Sequence, residues 1–168
     1  ITESRNDRKH EYGCLMVRFD PPWWNDLLNK VKDEDVYNEE SFGKEDEPHC
    51  TILFGFDDSK IEKEDIGKIV ENEKPFKVKL TSISCFENEE YDVLKFDVES
   101  NELHELNEKA TELPHTQLYP EYKPHITIAY LKKGEGDKYT RKLEKSVTLK
   151  TQYFYYSGED GEKTYFNL

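Results

Sequence analysis

Apolar residues come in short runs bounded by prolines, glycines and acidic clusters, and their spacing switches between the two-residue repeat of strands and the 3.6-residue repeat of helices. Tyr12 to Phe19 (YGCLMVRF) mixes aliphatic and aromatic residues up to the Pro21-Pro22 break and predicts a buried strand. Trp23, Trp24, Leu27, Leu28 and Val31 then recur at helical spacing, with Pro22 near the helix start, where its missing N–H costs least. Asp33 to Glu47 carries eight acidic residues and a lone Gly43, which predicts a loop too polar to pack. It leads through Pro48 into HCTILFGF, a strand.

Lys63 to Asn72 puts Ile66, Ile69 and Val70 on one helical face, and Pro75 stops it. Phe76 to Phe86 and Tyr91 to Val98 alternate apolar and polar residues around the acidic turn Glu87 to Glu90, the pattern of an antiparallel hairpin. Asn101 is the expected N-cap of a helix carrying Leu103, Leu106, Ala110 and Leu113, closed by Pro114. HITIAYL after Pro124 is the next strand, and the stretch from Val147 to Leu168 reads as a second hairpin turning at Gly158 and Gly161. The order strand, helix, strand, helix, hairpin, helix, strand, hairpin indicates an α+β fold with a largely antiparallel sheet system. Residues 1–11 are expected to form a flexible tail and 12–168 a single domain, as the length of 168 residues allows.

Composition narrows the partners. A formal net charge of −13 repels polyanions and removes the counterion release that drives binding to long nucleic acid, while leaving room for a small anion held in a local pocket. No apolar stretch approaches the roughly 20 residues of a membrane span. Cys14, Cys50 and Cys85 are an odd set without CxxC spacing, expected as reduced thiols. The expectation is a monomeric cytoplasmic protein with no membrane or long nucleic-acid partner.

The chemistry lies in an internal repeat. Glu45 to Ile52 (EDEPHCTI) aligns with Glu121 to Ile128 (EYKPHITI), 76 residues later, with five of eight positions identical. In both copies a proline ends an irregular segment and His-x-Thr opens an apolar strand. Residues two apart in a strand share a face, so His49 and Thr51 point one way while Cys50, Ile52 and Phe54 point the other; His125 and Thr127 do the same. Halves related by a pseudo-two-fold axis bring two imidazoles and two hydroxyls to one cleft. Two imidazoles form a general base and general acid pair, and threonine hydroxyls can donate to a phosphate's non-bridging oxygens. Neither copy has HxH or HExxH spacing and threonine is a poor metal ligand, so no metal and no cofactor is expected. His10, His104 and His115 read as solvated, with His115 a minor candidate.

PHCTI and PHITI resemble the signature of the 2H phosphoesterase superfamily, whose members carry two HxT/S motifs in two pseudo-symmetric lobes. The resemblance spans about Tyr12 to Leu168 and implies a bilobal domain with metal-free cleavage of phosphodiesters, His49, Thr51, His125 and Thr127 being catalytic by match to the motif. The stretch GKEDEPHCTILFGF and the Tyr-Gly-Cys opening are similar to the phage anti-CBASS phosphodiesterases, which implies 3′,3′-linked cyclic di- and trinucleotides of bacterial defence as substrates and, for a viral protein, the host cytoplasm as its location. The alternatives are a 2′,5′-oligoadenylate or 2′,3′-cyclic phosphate phosphodiesterase of the same superfamily, or a protein that sequesters its nucleotide without cutting it. Aromatic residues including Tyr12, Trp23, Trp24, Tyr153, Tyr155, Tyr165 and Phe166 offer stacking platforms for bases. The terminal hairpin, with Glu159, Asp160 and Glu162 near Tyr165 and Phe166, is the expected place for base recognition. Tyr12, Glu159, Tyr165 and Phe166 are the candidate substrate-binding residues.

Overall fold

The computed structural model describes residues 11–40 and 42–168; the expected tail, apart from Glu11, lies outside the described residues. Seven strands form one sheet system: β1 (Gly13–Phe19), β2 (His49–Phe56), β3 (Lys77–Glu87), β4 (Tyr91–Glu99), β5 (His125–Lys132), β6 (Arg141–Ser157) and β7 (Lys163–Asn167). Among the described residues three α-helices accompany them: α1 (Trp24–Asn29), α2 (Lys63–Val70) and α3 (Asn101–Ala110). The strand order is β1-β2-β5-β4-β3-β6-β7, and β1 also pairs with β6, so the pairings run round a closed circuit. Its agent is β6, 17 residues long, whose first part pairs with β3 and whose last part lies between β1 and β7. Two lobes result: β7-β6-β1-β2 and β6-β3-β4-β5. They meet again where β2 and β5 pair at a single position, Cys50 opposite Ile126.

Alternation divides every strand between two faces. Leu15, Val17 and Phe19 of β1, Cys50 and Ile52 of β2, Phe96 of β4 and Ile126 and Ile128 of β5 are buried in the main core with the helices. Trp23 and Trp24 belong to this layer: Trp24 is buried with its Nε1–H donating to Glu45 O at 2.7 Å, and both indoles lie about 6 Å from the Phe96 ring. That assigns the two tryptophans to packing instead of stacking on a ligand. Helix α2 starts with a reciprocal Glu62–Asp65 capping box. Helix α3 is capped by Ser100, one residue before the expected Asn101, its Oγ accepting from Leu103 N–H at 3.1 Å.

Two segments depart from expectation. The acidic stretch 33–47 does pack: Val36 and Lys44 form β-bridges to Leu131 and Ala129, and Asp35 and Glu45 are buried. Its charge is accommodated because Tyr139 and Lys138 both donate to the Asp35 carboxylate, at 2.5 and 2.9 Å, and this holds that carboxyl below its usual range. Strand β6 begins at Arg141, six residues ahead of the predicted Val147, because Arg141 and Lys142 pair with Ile83 and Ser82 of β3 and draw the mostly polar RKLEKS run into the strand.

Gly55 near the end of β2 ties the fold to the site. Its φ is +131°, and a Cβ there would lie 2.5 Å from Thr116 O, while Thr116 N–H donates back to Gly55 O at 2.8 Å. Gly55→Ala is therefore expected to cost roughly 1–3 kcal/mol in urea unfolding. An unchanged unfolding midpoint would show that the close approach imposes no strain.

Candidate active site

The single β2–β5 pairing joins the middle residues of the two HxT motifs, Cys50 and Ile126, both fully buried against the core. In an antiparallel register, His49 then lies across from Thr127 and Thr51 across from His125, all four on the face turned away from the core. The arrangement is two-fold in its details. His49 Nδ1 lies 2.9 Å from Glu47 O and His125 Nδ1 lies 2.9 Å from Lys123 O, each the carbonyl two residues earlier. A carbonyl only accepts, so each ring carries its proton on Nδ1. His49 is 6% exposed and packs edge-on to Tyr155; His125 is half-buried and packs edge-on to Phe86, ring centroids 5.0 Å apart. Thr51 Oγ1 is buried and has no hydrogen-bond partner among the described residues, a donor poised for an oxygen that a ligand would bring.

Thr51 and His125 open onto a cavity of about 630 Å³, walled also by Phe54, Phe86, His115 and Tyr119. The connection between α3 and β5 forms much of this wall, anchored by Tyr122, whose hydroxyl donates to Thr51 O at 2.8 Å, and by the Gly55–Thr116 pairing. His115 repeats the histidine geometry, with Nδ1 2.7 Å from Leu113 O. Its place on the wall distinguishes it from a solvated loop histidine; the Leu113-Pro114-His115 context carried no strand signal to reveal it.

A model described as anti-CBASS protein Acb1 matches residues 24–162. The chain belongs to that family. No curated protein sequence matches it. Solved structures give the fold: Usb1 of Kluyveromyces marxianus superposes with TM-score 0.62 at 11% identity, over 95% of this chain and 99% of that one. TT0787 of Thermus thermophilus gives 0.57 at 18% identity, over 94% of each chain, and E. coli LigT complexed with 3′-AMP gives 0.52 at 13%, over 94% and 96%. The architecture is that of the 2H phosphoesterases, and this member of the anti-CBASS Acb1 family is a phosphodiesterase.

Around the histidines, the registers lay out rows of side chains on the site face. One row runs Tyr165, Tyr155, Met16, Thr51 across β7, β6, β1 and β2; another runs Asn167, Tyr153, Arg18, His49. Tyr165 is thus on the site face, 59% exposed, stacked on Tyr155 with centroids 6.0 Å apart and about 14 Å from Thr51 by three strand spacings. Tyr12 packs edge-on to Phe54 at 5.9 Å, beside the cavity; Phe54, expected on the core face with Cys50 and Ile52, lines the cavity instead, because a bulge in the β1–β2 register shifts the alternation after Thr51. Phe166, next to Tyr165 in the same strand, necessarily faces the other way and packs against the core at Gly67 of α2, so it cannot share a ligand with Tyr165. Glu159 sits at the hairpin tip, its N–H donating to Asp58 Oδ2 at 3.1 Å, outside the cavity wall.

On the second lobe, Tyr91, Val93 and Tyr130 form an aromatic patch with Tyr37, Phe42 and Phe86. Tyr37 and Phe42 come from the acidic segment, which thereby covers this face of the lobe. Of the thiols, Cys14 and Cys50 are buried and Cys85 is half-buried; burial, then the charge of Asp92, push the Cys85 thiol up to about 12, which keeps it protonated.

Proposed function

We propose that the chain opens small 3′,3′-linked cyclic di- and trinucleotides by attack of a ribose 2′-hydroxyl, and that it acts as a phage protein in the host cytoplasm against CBASS signalling. The observation that carries the reading is the pair of HxT strands joined at their middle residues, with matched Nδ1 to carbonyl bonds and the buried, unpartnered Thr51 Oγ1. One imidazole takes the 2′-hydroxyl proton at Nε2. The 2′-oxygen forms a bond to the adjacent phosphorus, the bond to the 5′-oxygen breaks, and the second ring, protonated, gives its Nε2 proton to that leaving oxygen. Thr51 and Thr127 donate to the non-bridging oxygens as charge accumulates. Water then opens the 2′,3′-cyclic product with the two roles reversed.

Recognition of the bases falls to aromatic faces: Tyr165 on its Tyr155 support and Tyr12 beside Phe54. Solved relatives of the fold hold mononucleotides, 3′-AMP in LigT and uridine monophosphate in Usb1, which supports a nucleotide in this cleft. A net charge of −13 supports a small ligand over a long RNA.

Turnover of a panel of cyclic and 2′,5′-linked nucleotides tests the reading. Because the site supplies its own proton donors and acceptors, cleavage of the preferred cyclic nucleotide is expected to persist in EDTA. Loss of turnover on chelation, restored by a divalent ion, would replace this mechanism with a metal-assisted one.

A further inference from the structure

The β4–β5 register sets Lys95 opposite Thr127 and Asp97 opposite His125, on the face that carries the histidines. Lys95 is a buried cation, its side chain 7% exposed. Its Nζ donates to Asp97 Oδ1 at 2.5 Å and to Ser84 Oγ at 2.7 Å, and lies 4.3 Å from the centroid of Phe86, the ring that packs edge-on to His125. Asp97 is more open, at 35%, and its other bonds come from Ser82, 2.5 Å to Oδ2, and Ser84, 3.0 Å to Oδ1. Burial opposes its ionisation, but the bonds from Lys95, Ser82 and Ser84 outweigh that and hold the carboxyl below its usual range, so it is charged at neutral pH.

Packing alone does not account for this group. A buried ion pair gains little over apolar residues of the same volume, because desolvation consumes most of the attraction. The arrangement also sets a carboxylate one strand from a histidine that must share its surroundings with a phosphodiester anion, in a protein already strongly negative.

We propose that Lys95 is a positioning residue of the second HxT strand: it cancels the Asp97 charge beside His125 and holds Phe86 against that ring, so that a phosphodiester anion can settle between the two histidines. The inference rests on the phosphodiesterase reading and adds a charge-balancing pair to it. Asp97 in turn fixes the ammonium through its hydrogen bonds.

Removing the two charges one at a time has opposite consequences for an anionic ligand. The probe is a 3′,3′-linked cyclic dinucleotide, for turnover, and its 2′-deoxy analogue, for affinity. Lys95→Met leaves the carboxylate uncompensated and is expected to weaken analogue binding about tenfold, as one partly screened unit charge does at this range. Asp97→Asn leaves the ammonium in excess and is expected to tighten binding a few-fold, roughly. The double variant returns affinity to near the native value, and added salt shrinks both single effects. A merely structural pair would weaken binding in both single variants alike; that result, or a double variant as weak as Lys95→Met, overturns the proposal. If Lys95→Met does not fold, Asp97→Asn and the double variant decide by the same signs. Native protein that neither binds nor cuts the dinucleotide overturns both readings, whereas native turnover with unaltered variants overturns this one alone.

Discussion

Replacing either motif histidine by alanine is expected to lower turnover by roughly 10²–10⁴-fold with little change in the affinity for an uncut analogue, since each ring moves a proton in the transition state and neither is the main source of binding. The structure orients both rings alike, each with Nδ1 on the backbone carbonyl two residues upstream, although His125 lines the cavity and His49 is nearly buried. His49→Ala and His125→Ala should consequently fail to comparable degrees, and together should cost far less than the product of the single losses, because the two rings act as one unit. The rate of the native protein against pH should be bell-shaped, with macroscopic constants that belong to the pair. Measuring kcat for both single variants and the double decides it: near-native turnover in one of them would make that histidine structural.

The second large effect concerns the nucleophile. A 3′,3′-linked cyclic ribonucleotide should be cut, while its 2′-deoxy counterpart should be cut not at all, because no 2′-oxygen is available to attack the adjacent phosphorus. The deoxy compound should still bind within a few-fold, roughly, since stacking on aromatic faces such as Tyr165 and Tyr12 makes no use of that hydroxyl. Parallel measurement of cleavage and affinity for the matched pair separates the possibilities. Hydrolysis of both at similar rates would mean that water attacks directly; loss of binding along with cleavage would mean that the 2′-hydroxyl is a recognition element as well as a nucleophile.

Both experiments turn on residues that the amino-acid pattern alone makes legible. The two HxT segments announce themselves through identity at matching offsets, and period-two alternation places histidine and threonine on one face and Cys50 or Ile126 on the other. Local patterning also locates β1, β2, the β3–β4 hairpin, β5 and the three helices, because each buries an apolar face whose period is written in the run itself. Where local pattern is weak, the reading departs from the fold. The first six residues of β6 are polar apart from Leu143, and they join the strand through the pairing of Arg141 and Lys142 with β3. Trp23 and Trp24 are open to two readings, platform or core, with core the favoured one, and the position of Phe96 decides for core. Asp33 to Glu47 looks unpackable until Lys138, Tyr139 and the edge of β5 are brought to it from some hundred residues away in the chain.

The amino-acid sequence by itself determined that this chain has two equivalent strands carrying imidazole and hydroxyl on one face, a core on the other, and too much negative charge for a long polyanion. Those are properties of residue type, period and net charge, and they need no knowledge of neighbours. Only the tertiary structure decided that the strands meet at Cys50 and Ile126, that Tyr165 lies on the site face with Phe166 turned to the core, and that His115, Arg18, Lys95 and Asp97 flank the motifs. Strand order and register join residues far apart in the chain, and nothing in a local run specifies which distant strand will lie beside it.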